Sequence, residues 1–124
     1  MKTNFLYRAY KILAFSVIIL GVIHGIATFT PLIREGIKSL SKDNFDAVVF
    51  MSLGTGTSFI LAGLLLFTVS DIKLSFTKLV LPVNVFLLFL GLLAPIQMPY
   101  NPFAWLSCAV MVLLFLVSFA MRRK

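Results

Sequence analysis

Residues 47–70 read AVVFMSLGTGTSFILAGLLLFTVS, 24 residues without a charge. At ~1.5 Å per residue, a helix of that length crosses a hydrocarbon core of ~30 Å. Its first half is crowded with Ser52, Gly54, Thr55, Gly56, Thr57 and Ser58, and its second half is mostly Leu and Phe. A helix that only faced lipid would have no use for so many small and hydroxyl residues. They form two faces at four-residue spacing. Gly54, Ser58 and Ala62 make one; Ser52 and Gly56, leading to Gly63, make the other. Both allow a neighbouring backbone to approach closely. The stretch therefore reads as the central helix of a membrane bundle.

Outward from it, the rest of the chain has the same character. Of 124 residues 60% are hydrophobic and only 12% charged, which takes the chain out of the soluble globular range. Three further apolar stretches flank residues 47–70, at about 12–30, 79–97 and 103–121. The expected fold is all-α, one domain of four transmembrane helices over residues 1–124 with no linker long enough to divide it. Pro31 ends the first stretch, Pro82 sits in the first turn of the third, and Pro95 marks that helix's end. Asp43 or Asn44 is placed to cap the second. Between the first two, Leu32, Ile33, Ile37 and Leu40 recur at helical spacing, as in a short helix lying on the membrane surface. A cleaved signal peptide, with Gly25-Ile26-Ala27 as its small-x-small site, is the alternative reading of the first stretch.

The formal charge of +7 does not point to nucleic acid, because no basic face or stacking platform accompanies it. The basic residues flank the spans instead. Lys2, Arg8, Lys11, Lys73, Lys78, Arg122, Arg123 and Lys124 fall on one side, against Arg34, Lys38 and Lys42 on the other. That bias predicts both termini in the cytoplasm, in what is expected to be a bacterial inner membrane. Tyr7 and Tyr10 at one side, and Tyr100 and Trp105 at the other, suit the headgroup layers.

Chemistry is sparse. Cys108 is the one cysteine, so no intrachain disulfide forms, and no cofactor motif or metal-ligand cluster is present. His24 is the one ionisable side chain inside a span. It sits level with residues 53–55 of the second span, so Thr55 and Ser58 are its candidate neighbours, with Ser107, Cys108 and Gln97 near the same end. Two readings stay open. One is a small polar pocket in which His24 binds a ligand or passes a proton. The other is a structural, neutral imidazole satisfied by one hydroxyl. Gly21 and Gly25 form a GxxxG on the first span, expected to meet Gly54, Gly56 and Gly63 of the second or to serve dimerisation. Asn84 is a candidate interhelical contact.

GVIHGIATF at the end of the first span, DNFDAVVF at the entry to the second and GTGTSFILAGLLLF within it resemble a group of small four-span bacterial membrane proteins of unknown function. The resemblance implies four spans and a membrane location, and no activity. Small multidrug transporters need a glutamate in the first span, which this chain lacks, and the asparagine and Gly-Gly-arginine start of fluoride channels are also missing. The expected function is a non-enzymatic bundle in contact with lipid that binds a protein partner or its own copy. The alternative is a small transporter, channel or lipophilic-ligand binder using the pocket around His24.

Overall fold

The computed structural model describes residues 2–69 and 76–122. The turn at 70–75, with Asp71 and Lys73, lies outside the described residues, as do Arg123 and Lys124 and the side chains of Lys2, Leu32 and Arg122. The fold is all-α: α1 (Lys2–Ala27), α2 (Pro31–Ile37), α3 (Lys42–Val69), a π turn (Phe76–Val80), α4 (Leu81–Gln97) and α5 (Pro102–Arg122). Among the described residues four helices are long and apolar enough to span a membrane, Phe5–Ala27, Lys42–Val69, Lys78–Gln97 and Pro102–Met121.

Helix ends differ from the charge-free stretches for local reasons. Nothing between Lys2 and Lys11 breaks a helix, so α1 begins well before residue 12. It stops at Ala27, because Pro31 holds Thr30 in an extended conformation (ψ 154°) and the chain must turn first. Neither Asp43 nor Asn44 caps α3. The helix already starts at Lys42, and the Phe45 N–H bonds the Ser41 carbonyl at 2.9 Å. Asp43 in the first turn still complements the helix dipole. Pro95 lies inside α4, which runs on to Gln97, since proline forfeits only its own N–H and the Met98 N–H reaches the Ala94 carbonyl. The Phe103 N–H donates to Asn101 Oδ1 at 2.9 Å, capping α5 with Pro102 in its first turn.

The central helix is α1, not α3. α1 packs along both α3 and α5, α4 packs on α5, and α3 barely meets α4. Only 17% of the α3 span is buried, against 28% of each other span. The cause is that α3 spends one small-residue face on α1 and turns the other outward. A Cβ on Gly21 would lie 2.6 Å from the Gly56 carbonyl oxygen, and one on Gly56 would lie 2.9 Å from the Gly21 oxygen and 3.1 Å from the Gly25 nitrogen. One on Gly63 would lie 2.9 Å from the Ala14 oxygen. Gly54 has open space beside it.

At the other end of the α1–α3 seam Tyr10 is fully buried within the bundle. Its hydroxyl donates to the Leu66 carbonyl at 3.2 Å. One phenol thus fills the core with its ring and ties α1 to α3 with its oxygen. Deeper in the α4–α5 pair, Asn84 Nδ2 donates to Ser118 Oγ at 2.9 Å, and Ser118 donates to the Leu114 carbonyl.

Candidate functional site

His24 stands in the last turn of α1, and Gln97, Met98 and Phe103 from around the α4–α5 turn share its cleft. Its Nε2 lies 3.2 Å from Ser52 Oγ, and Ser52 Oγ lies 2.7 Å from Thr28 Oγ1. Thr28 Oγ1 in turn lies 3.0 Å from the His24 carbonyl oxygen. A carbonyl accepts only, so Thr28 donates its single proton there. Thr28 must then accept from Ser52, and Ser52, its proton spent, accepts from the imidazole. The loop is closed with Nε2–H as the donor. The reverse direction would leave the Thr28 oxygen and the His24 carbonyl in contact with no proton between them. The tautomer is thereby assigned from hydroxyl directions, and it leaves Nδ1 as a lone pair. That nitrogen has no partner among the described residues, and it is not shut away from all contact.

The imidazole faces a cleft of about 200 Å³ between all four long helices. Thr55 and Phe59 of α3, Leu90 and Ala94 of α4, and Ser107 and Met111 of α5 are among its walls, with Gln97 at its edge. The His24 and Phe59 rings lie 6.3 Å apart, tilted by 55°. At the floor, α4 and α5 close tightly: a Cβ on Gly91 would lie 2.8 Å from Met111 Sδ. Native interiors rarely leave room of this size, and the lining is mainly apolar rather than the polar pocket expected from the residue inventory.

Of the expected neighbours of His24, Thr55 lines the cleft but bonds the Met51 carbonyl at 2.9 Å, and Ser58 bonds the Gly54 carbonyl at 2.8 Å outside it. Neither touches the imidazole. Ser52 and Thr28 hold it instead. Their signal lay in the glycines: packing Gly56 on Gly21 and Gly25 in an antiparallel pair sets Ser52, one turn before Gly56, opposite the turn after His24. Ser107 Oγ bonds the Phe103 carbonyl, and Cys108 is half-buried beside it in sequence but not in the lining. Among the described residues no three of His, Cys, Asp and Glu converge as metal ligands would. What the arrangement can do is hold a molecule of apolar body and orient it by one hydrogen bond.

Comparison of the chain with family models, with curated proteins and with solved structures gives no match.

Proposed function

We propose that the chain is an integral membrane bundle that takes a small lipophilic ligand into the His24 cleft. The observation that carries this is the unfilled space of about 200 Å³ at the meeting of four helices, lined in part by His24, one of whose ring nitrogens has no partner among the described residues. Ligand sites are concave, mostly apolar and marked by a few placed polar groups, which describes this cleft. Under the positive-inside reading both termini are cytoplasmic, the lysine- and arginine-rich end meets inner-membrane headgroups, and the cleft opens toward the outer face.

Filling the cleft tests the reading. Ala94→Phe places a ring in the space while leaving the His24 loop intact. Wild-type protein in detergent should gain thermal stability on addition of a neutral aromatic such as 1-naphthol, by about 2.7 kcal/mol at a hundredfold excess over Kd. The variant should unfold at or above the wild-type temperature without ligand and show no gain. A ligand-induced gain that survives Ala94→Phe would place the binding elsewhere.

The outward small face of α3 favours a second reading, a bundle that pairs with its own copy. Gly54 has open space beside it and Leu61 is 62% exposed, so another backbone can approach there.

A further inference from the structure

The polar atoms around the cleft are not balanced between donors and acceptors. His24 gives its one ring proton to Ser52, so Nδ1 presents only a lone pair. Thr55 spends its proton on the Met51 carbonyl and Ser107 on the Phe103 carbonyl, so neither lining hydroxyl has a proton left to give. Helical N–H groups are committed to their own ladders. Among the described lining residues, Gln97 alone has a side-chain N–H to give, and it is exposed at the rim. Among the described residues no carboxylate lines the cleft: Glu35 is in α2, and Asp43 and Asp46 are in the opening turns of α3.

From this inventory we infer that the ligand is a neutral apolar molecule carrying a hydroxyl donor, a phenol or an alcohol, and that the donor bonds His24 Nδ1. The inference rests on the binding reading above and names its ligand class. An ether, ester or carboxylate would bring lone pairs against lone pairs and leave buried acceptors unpaired on both sides. An ammonium would be desolvated with no counter-charge. A hydroxyl meets the one group that waits for it. The size is right for a compact aromatic, since a cavity of about 150 Å³ accommodates benzene.

Three probes of one shape separate the alternatives: 1-naphthol, 1-methoxynaphthalene and naphthalene, titrated into the full chain in lipid nanodiscs and corrected for partition into empty discs. Wild type should bind 1-naphthol about tenfold or more tighter than the methyl ether. His24→Phe should bring that ratio to about one while the ether binds as before. Should His24→Phe fail to fold, Ser52→Ala serves. It releases Nε2–H, lets the ring exchange tautomers, and should lower the ratio at least about threefold. The chain has one histidine, so ¹⁵N-histidine labelling reports a single ring. It should show the Nε2–H tautomer, with the Nδ1 resonance moving when 1-naphthol is added. Equal affinity for naphthol and ether, or a proton on Nδ1, would overturn the donor assignment and leave the cleft as a ligand site. Failure of all three probes to bind would overturn both.

Discussion

A residue's neighbours are set by register, and register is what spacing alone does not supply. Ser52, Thr55 and Ser58 lie within two turns of one another in α3, yet only Ser52 bonds the imidazole. The presence of one imidazole in an apolar span was plain from the sequence; its partners were not, because choosing among hydroxyls needs the angle at which two helices meet. Asn84 poses the same question in the α4–α5 pair. It was legible as an interhelical contact, but its bond to Ser118 leaves Oδ1 buried with no partner among the described residues. Ser118 already has the Leu114 carbonyl, so removing the amide orphans nothing. Asn84→Leu should therefore be neutral or stabilising, by up to about 1–3 kcal/mol, the usual penalty of an unpaired buried acceptor. Thermal unfolding in detergent measures it. A loss of more than about 1 kcal/mol would mean that Oδ1 does have a partner, such as a bound water.

Helices, by contrast, were readable almost whole. In a bilayer every backbone group must bond within its own segment, so an uninterrupted apolar stretch has few other shapes open to it. What composition left undecided was which of the two small faces of α3 is used. Gly56 and Gly63, two turns apart, lie against α1; Gly54 does not. Single methyl groups read this out. Gly56→Ala pushes a Cβ to 2.9 Å from a backbone oxygen and should destabilise by about 1–3 kcal/mol, as overpacking does. Gly25→Ala and Gly54→Ala meet nothing within 4 Å and should stay within about 0.5 kcal/mol of wild type. Equal effects at the three positions would move the α1–α3 contact to another face. If copies pair through α3, Gly54→Leu should abolish crosslinked dimers without changing the stability of the monomer.

For the molecule as a whole, the distribution of charge is the main guide to orientation, and it is legible without any structure. With Cys108 replaced by Ser, cysteines introduced by Ser39→Cys and Ser75→Cys are expected, from the charge bias, on opposite sides of the membrane. An impermeant thiol reagent on intact cells should label the first and spare the second. The reverse pattern would invert the protein in its membrane. The wider architecture is two helix pairs, α1 with α3 and α4 with α5, joined where α1 meets α5. That joint has a consequence for synthesis. Of the four long helices the one that links the pairs, α1, leaves the ribosome before the others, and its second partner, α5, after them. Until α5 emerges, the α1–α3 hairpin has the side that α5 will cover still open, and these four helices close into one bundle only once α5 is made.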